Sequence, residues 1–363
     1  MMSSFPPIPA SPMIFAHLLG LVFVIHILFF NFVLASPIIA AWSLLFKPDK
    51  GKLFAKWLTA PLPAAFTFTI NFGVACLLFV QVLYPDRFYT ANIILGKAWL
   101  SIIIVLMAAF YLCYILLRSL SRKESNSAWT GTIGIIISVF TLYIAGLMVS
   151  NYFLTTDKTH WSMLLNRPWL VINNLTFIPR FLHYIIGSFA VTGFWMVWIS
   201  WWRQERGGPI AELTEFRKMG LHIAAGATGL QIIVGVWFLI WLPSEVLDRL
   251  FSGTFPSLVW ICGVACGLVL MGLLIVALAN PEKKIWQRVT TILLIATIGG
   301  MDAGRDVVRH ASFGPDFHVD NLPSQTQGGP LTMFLLLLIG GVLLGLVLLR
   351  LIWRLPGVSN TDR

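Results

Sequence analysis

Long apolar runs separated by short polar segments make up most of this 363-residue chain. A helix of about 20 apolar residues crosses a bilayer, and nine runs approach or exceed that length. The pattern therefore predicts an all-α, polytopic membrane protein with about nine transmembrane helices, the first of them broken or tilted near Ser36 and Pro37. The predicted helices span residues 13–46, 62–84, 93–117, 129–154, 178–202, 219–242, 255–279, 285–301 and 331–353.

The composition agrees with this pattern. The chain is 58% hydrophobic and 11% charged, and its mean hydropathy is +0.83. Soluble globular domains carry about 25% charged residues, so a soluble enzyme is excluded. No soluble domain fits between the apolar runs, which predicts a single transmembrane domain over residues 1–363.

The formal net charge of +10 does not point to nucleic acid, because the Lys and Arg residues lie mostly in short loops between apolar runs. Of the 25 basic residues, 17 fall on one side of the predicted bundle and 8 on the other. The positive-inside rule then predicts an outer N-terminus and a cytoplasmic C-terminus. On the outer side, residues 302–330 are too polar to span, and we expect them to form a loop that acts as a lid or docking segment.

Histidines inside predicted spans are candidate ligands, proton relays or ion sites, because an imidazole in hydrocarbon is costly. His26 lies deep in the first span and His183 near the outer end of the fifth, beside Arg180. His17 is nine residues from His26, about half a turn out of phase, so the two cannot serve one ligand on one face. His222, near the inner end of the sixth span, either faces lipid headgroups or belongs to an inner-leaflet haem or quinone site.

Small residues follow His183 at Gly187, Ser188, Ala190 and Gly193. They leave room for a flat macrocycle against the helix, or they serve ordinary close packing between helices. The neighbouring histidine favours haem. None of the four cysteines forms the C-x-x-C-H pattern of covalent c-type haem.

A dense charged cluster, Asp302, Arg305, Asp306, Arg309 and His310, ends the eighth apolar run. It is either a mutually neutralising salt-bridge network or part of a cofactor site. In the second case the arginines would hold haem propionates as carboxylate partners. Asp306 or His310 would then be an iron ligand.

Four segments, taken in order, resemble the large, haem-bearing subunit of cytochrome bd quinol oxidases. They are GLVFVIHILFFNFVL with His26, TINFGVACLLF in the second span, RFLHYIIGSFAVTGFW with His183, and the eighth-span end with Asp306 three residues before Arg309. The resemblance covers most of residues 10–310 and agrees with the helix count. It implies b-type haems, two or more, with His26 and His183 as axial ligands and Asp306 where a carboxylate ligates another haem.

The chain also departs from that family. Its third span, GKAWLSIIIVLMAAFYLCYIL, has no acid where the family brings glutamates to the oxygen-reducing site. The outer loop that helps the family oxidise quinol is reduced to LPSEVLDRLFSGT, and FPSLVWICGVACG lacks the methionine expected opposite the His183-like ligand. His17 could replace that methionine in a bis-histidine site. Without buried proton donors, reduction of oxygen to water would be hard to sustain.

These features together predict a haem-b subunit of a quinol-linked oxidoreductase complex in a prokaryotic cytoplasmic membrane. It would pass electrons between menaquinone or ubiquinone and a c-type or multihaem cytochrome on the outer face, alongside other subunits. Arg180, Arg305 and Arg309 would hold propionates. The alternatives are a divergent bd-type quinol:oxygen oxidoreductase subunit and a histidine-dependent ion or proton transporter, with a haem-free structural anchor as a third.

Overall fold

The computed structural model describes residues 6–47, 49–122 and 126–354. These residues form α-helices throughout, with two short 3-10 helices and no strand, apart from one isolated bridge between Ile8 and Ser324. The helices are α1 (Pro12–Phe46), α2 (Gly51–Thr59), α3 (Leu62–Leu83), α4 (Pro85–Leu95), α5 (Lys97–Ser121), α6 (Ser127–Thr156), α7 (Trp161–Leu164), α8 (Phe177–Gln204), α9 (Ile210–Ile240), α10 (Ser244–Leu250), α11 (Phe255–Ala279), α12 (Lys284–Phe313) and α13 (Gly328–Arg354).

The nine longest helices of the described chain lie at the nine predicted positions, which confirms the all-α membrane class. Seven segments are long and apolar enough to cross a membrane, and they contain α1, α2 with α3, α5, α6, α8, α9 and α11. α12 has the length of a span but carries too many polar residues. In α13 the stretch Leu331–Gly341 is apolar.

α1 is not broken at Pro37, so the first of the two predicted forms, broken or tilted, is wrong. The helix runs without interruption from Pro12–Phe46 with the proline inside it. Neighbouring helices often compensate for a proline in a buried helix by supplying hydroxyl donors to its backbone. Pro37 leaves the Val33 carbonyl without its helical donor, and Ser138 of α6 donates to the next carbonyl, that of Leu34, at 3.2 Å. Ser36 and Pro37 are both buried, and a Cβ on Gly134 of α6 would lie 2.8 Å from the Pro37 carbonyl oxygen, so α1 packs closely against α6 here.

Residues 302–330 do not form a loop along their whole length, which corrects the prediction of an outer loop over this segment. Residues 302–313 form the last three turns of α12. The charged residues stand three apart and pair along the helix, so they stabilise the helical conformation instead of opposing it. The helix stops at Gly314, whose φ of 124° suits glycine. The remainder forms the connection to α13 and hydrogen-bonds to the N-terminal segment, with Gln325 N donating to Ile8 O at 2.8 Å.

α9 begins at Ile210, nine residues before the predicted start of the sixth span. Arg217 is therefore a buried helical residue and not a loop cation, with 1% of its surface exposed. Its Nε donates to Ser200 Oγ at 2.9 Å and its Nη1 to Pro281 O at 3.2 Å. The guanidinium also lies 3.5 Å from the ring centroid of Trp201. Hydrogen bonds to neutral groups thus satisfy this buried cation and join α9 to α8 and the start of α12.

α1 lies at the centre of the bundle and packs against α2, α3, α6, α8 and α12. Two further close pairs complete it, α8 with α9 and α11 with α12. The second pair crosses at Gly263 and Gly300, where a Cβ built on Gly263 would lie 2.5 Å from the Cα of Gly300. This crossing brings the charged end of α12 against α1, α6 and α8, where the candidate site is found.

Candidate functional site

The charged residues at the end of α12 form one cluster, which we call the polar cluster: Asp302, Arg305, Asp306 and Arg309. Arg305 Nη2 lies 2.8 Å from Asp302 Oδ1 and 3.6 Å from Asp306 Oδ1. Arg309 Nη1 donates to Asp306 Oδ1 at 2.9 Å. The structure therefore brings together all four charged residues that the sequence singled out at this position.

The polar cluster is buried but incompletely paired. The Arg305 guanidinium lies 3.5 Å from the centroid of the Phe23 ring on α1. Arg305 Nε, Arg305 Nη2 and Asp302 Oδ1 are buried without a hydrogen-bond partner, although the last two form an ion pair. Asp302 also approaches α1 closely, since a Cβ on Gly20 would lie 2.8 Å from its Oδ2. Buried donors without partners require an explanation, and an absent ligand is one.

Tyr152 of α6 connects the polar cluster to α8, and the sequence did not single it out. Its hydroxyl donates to the backbone carbonyl of Arg305 at 3.2 Å. The guanidinium of Arg180 lies 4.2 Å from its ring centroid and that of Arg309 5.5 Å. Arg180 is 8% exposed and its Nε has no partner. In the sequence Tyr152 looks like any interfacial aromatic, so no signal separates it from the lipid-facing tyrosines.

His183 lies about one turn beyond Arg180 on α8. Its Nδ1 is buried without a hydrogen-bond partner. Its backbone carbonyl accepts a hydrogen bond from Gln231 Nε2 of α9 at 2.7 Å. The imidazole is thus a buried nitrogen base with free coordination capacity.

The small residues after His183 serve helix packing. A Cβ on Gly187 would lie 2.5 Å from Gln231 Nε2, so the missing side chain makes room for that glutamine. A Cβ on Gly193 would lie 2.5 Å from the carbonyl oxygen of Gly220 on α9. Gly187 and Gly193 therefore allow close packing of α8 against α9. Room for a macrocycle beside His183 stays a prediction from the sequence.

His26 of α1 is held by α3. Its Nδ1 hydrogen-bonds to the carbonyl of Thr69 at 3.0 Å. Gly73, in the INFGV segment, allows this approach, because a Cβ there would lie 2.8 Å from His26 Cε1. A metal-ligating histidine usually donates one ring N–H to a carbonyl and leaves the other nitrogen for the metal. Thr69 and Gly73 give His26 that arrangement.

The other histidines lie in different environments. His17 is exposed on the surface of α1. His222 is exposed on α9, hydrogen-bonds to Lys218 O at 2.7 Å through Nδ1, and lines an apolar groove of about 540 Å³ between α9 and α11. His310 is partly buried, and its Nε2 shares a hydrogen bond of 2.7 Å with the Tyr84 hydroxyl. Burial raises the pKa of the Tyr84 phenol to about 12, which keeps the hydroxyl neutral at physiological pH.

Haem fits this set of donors better than a bare metal ion does. Among the residues that the structure describes, no group of three or more His, Cys, Asp or Glu side chains could hold a metal ion. Haem iron is different, because the porphyrin supplies four nitrogens and the protein needs to add only one or two ligands. His26 and His183 each offer one imidazole nitrogen, and Arg180 and Arg305 offer buried donors for carboxylates.

Comparisons with known proteins give a likeness in structure but not in sequence. No model of a known protein family matches the chain, and no curated protein sequence is similar to it. Its structure is similar to a chain of the bd oxidase from Geobacillus thermodenitrificans, with a TM-score of 0.75 and 15% sequence identity. The match covers 96% of this chain and 100% of that chain. The resemblance inferred from four short segments is therefore confirmed at the level of the fold, and this chain has the fold of a bd oxidase chain.

Proposed function

We propose that this protein is a b-haem-binding, electron-transferring subunit of a quinol-linked redox complex in a prokaryotic cytoplasmic membrane. The observation that carries the proposal is a set of buried nitrogens without a hydrogen-bond partner on α8 and α12. They are His183 Nδ1, Arg180 Nε and Arg305 Nε. Leaving such groups unpaired costs about 1–3 kcal/mol each, and a ligand with an iron ion for the imidazole nitrogen and carboxylates for the arginines explains them.

In this proposal His183 and His26 hold haem iron. Thr69 fixes the orientation of the His26 ring through Nδ1, and Gln231 holds the α8 backbone at His183. When bound, haem b supplies one-electron oxidation and reduction. His17, His222, Asp306 and His310 stay predictions from the sequence as further ligands, and the exposure of His17 and His222 makes them weaker candidates than the first two histidines.

The buried arginines bind the carboxylates of the cofactor. Arg180 lies against the rings of Tyr152, Phe153 and Phe238, at 4.2, 5.1 and 4.9 Å from their centroids. The N–H donors of a stacked guanidinium lie in the plane of the guanidinium itself, where they stay free for a bidentate carboxylate. Arg305 is held in the same manner by Phe23. Two cations near the haem would also favour its reduced form electrostatically.

Quinol and further subunits enter the proposal through the bd oxidase likeness together with the sequence. We take the electron acceptor on the outer face to be another chain, because the described helices form a membrane bundle. A c-type or multihaem cytochrome as that chain is a prediction from the sequence alone, since no feature of the described surface identifies it.

Oxygen reduction is the second candidate function. The third predicted span, α5, has no acid, but Asp302 places a buried carboxyl against α1, the helix that carries His26. This carboxyl could supply a proton where the α5 acids are missing. Quinol-dependent oxygen consumption by the purified complex distinguishes the two functions, because an electron-transfer subunit consumes none.

The proposal is tested by a reduced-minus-oxidised spectrum and a pyridine haemochrome count on the detergent-purified protein. We expect b-type haem in the wild-type protein. His183→Ala and His26→Ala are each expected to lose about one haem or its low-spin spectrum, because removing an axial ligand leaves iron without its protein bond.

His160→Ala and His318→Ala are matched controls, because both histidines are exposed in loop segments outside the candidate site. Their haem content is expected to equal that of the wild type. A wild-type protein without haem, purified in folded form, would contradict the proposal and favour the transporter or the structural anchor. Equal haem loss in all four variants would also contradict it.

A further inference from the structure

A second polar site lies beside the polar cluster, in a pocket of about 170 Å³ where α3 ends and α4 begins. The rings of Phe313 and Phe317, together with Leu83 and Leu322, form its apolar lining. The buried Tyr84 also lines it, and Asp86, Arg87 and Lys158 contribute charges. Asp86 and Lys158 are exposed, so the charged residues form the rim and the apolar residues form the interior.

One residue that lines the pocket, Tyr84, has a hydroxyl that could hydrogen-bond a ligand. The hydroxyl of Tyr84, a residue with 5% of its surface exposed, shares a 2.7 Å hydrogen bond with His310 Nε2. Tyr84 also lies next to the polar cluster, since the Arg309 guanidinium is 5.6 Å from its ring centroid. A hydroxyl that donates to the imidazole still has oxygen lone pairs to accept a hydrogen bond from a ligand.

The walls of the pocket are held in place. Arg87 lies 3.9 Å from the centroid of the Phe313 ring and donates to Thr155 O at 3.0 Å. Phe313 and Phe317 pack edge to face at 4.8 Å between centroids. Rigid aromatic walls with a hydroxyl for hydrogen bonding are typical of a small-molecule site. Such walls fit a planar ring better than a flexible acyl chain.

We propose that this pocket binds the head group of a single-ring quinol, with a quinol hydroxyl hydrogen-bonded to Tyr84. The inference rests on the proposed function and names the place and the size class of its substrate. A cavity of about 150 Å³ accommodates benzene, so a pocket of about 170 Å³ matches one substituted ring more closely than two fused rings. Val82 and Leu83, which end a predicted span, also line the pocket, so the pocket lies at the predicted outer end of a membrane-spanning segment.

The groove between α9 and α11 is the competing site. It is larger, at about 540 Å³, and almost entirely apolar. Its one polar residue is His222, whose Nδ1 already bonds to Lys218 O. It has the character of a lipid-facing groove, so it provides an internal comparison for the binding experiment.

The experiment measures equilibrium binding of a decyl benzoquinone to the purified full-length protein, alongside the rate of haem reduction by its quinol. Tyr84→Phe removes the hydroxyl and keeps the ring, and Leu322→Trp fills the pocket. We expect the dissociation constant to rise about tenfold in Tyr84→Phe, the loss of one buried hydrogen bond, and more in Leu322→Trp. Haem content is expected to stay at the wild-type level. Ile233→Trp, which fills the α9–α11 groove, is expected to bind as the wild type does.

A two-ring naphthoquinone with the same tail is expected to bind at least about tenfold more weakly, because its second ring exceeds the cavity. Unchanged binding in Tyr84→Phe, or loss of binding in Ile233→Trp, would overturn the proposal. Equal affinity for the two quinones would overturn the assignment of a single-ring quinol to this pocket. If Leu322→Trp does not fold, an azido-benzoquinone photolabel replaces it, and label in the 222–233 peptide instead of the 82–87 or 313–323 peptides would count against the pocket.

Failure of this inference can be told apart from failure of the proposed function. A protein that contains haem but binds quinone elsewhere refutes the pocket alone. A protein without haem refutes the proposed function, while the equilibrium-binding measurement still reports whether the pocket binds a quinone ring.

Discussion

Two glycines in this protein each give a neighbouring helix access to a backbone carbonyl one turn earlier. Gly73 follows Thr69 by four residues and lets His26 reach the Thr69 carbonyl. Gly187 follows His183 by four residues and lets Gln231 reach the His183 carbonyl. A glycine four residues after the accepting carbonyl therefore helps to position each of the two histidines of the proposed haem sites. In each case a side chain four residues after the carbonyl would block the approach.

Gly73→Ala is expected to displace His26. The new Cβ would lie 2.8 Å from His26 Cε1, so the ring must move and its hydrogen bond to Thr69 must weaken. The cost of such overpacking is about 1–3 kcal/mol, and we expect a lower melting temperature together with a shifted or reduced haem spectrum.

Gly226→Ala is the control for that substitution. Gly226 also lies inside a long helix, but a Cβ there meets no atom within 4 Å. It should leave the haem spectrum unchanged and should not lower the melting temperature. If the two variants behave alike, helix propensity and not the contact with His26 determines the effect.

Among the long helices, α12 is the one whose end the hydropathy pattern predicted least accurately. The apolar run ends near residue 301, but the helix continues to Phe313. Three turns rich in charged residues remain helical because their charges pair within the helix and because α1 and α6 cover them. Hydropathy alone cannot show this, since it measures transfer to lipid and not burial against other helices.

Gly300→Leu is expected to displace the end of α12 and with it the polar cluster. Gly300 lies in backbone contact with Gly263 of α11, so a leucine side chain forces the two helices apart. We expect a loss of about 2 kcal/mol or more, measured as a lower melting temperature in detergent, together with a smaller haem content.

Gly299→Leu provides the comparison one residue away on the same helix. A Cβ on Gly299 meets nothing within 4 Å, so this variant should keep both the wild-type melting temperature and its haem. A similar loss in both variants would mean that the α11–α12 crossing does not position the cluster.

For the whole molecule, the distribution of basic residues predicts the orientation in the membrane. The pocket beside Tyr84 and the polar cluster lie on the side with 8 of the 25 basic residues, which the positive-inside rule assigns to the outside. The cysteine variants Lys158→Cys and Lys283→Cys probe the two sides, because both lysines are exposed and lie in loops on opposite sides of the predicted bundle.

In a background with the four native cysteines replaced, a membrane-impermeant maleimide is expected to label Lys158→Cys in intact cells. Lys283→Cys is expected to react only after the cells are opened. The reverse pattern would place the candidate site on the cytoplasmic side and would exclude an outer electron acceptor at this face.

The sequence by itself determined the membrane class, the nine long helices and the spacing of Asp306 and Arg309, and it singled out the two histidines of the proposed haem sites. These properties follow from local hydropathy and from short spacings, which a linear pattern records. Only the tertiary structure decided that Tyr152 links Arg180 to Arg305, that Thr69 holds His26, and that Tyr84 meets His310 across 226 positions of sequence. Such contacts depend on how helices cross, and helix crossings are set by the packing of small residues on distant segments.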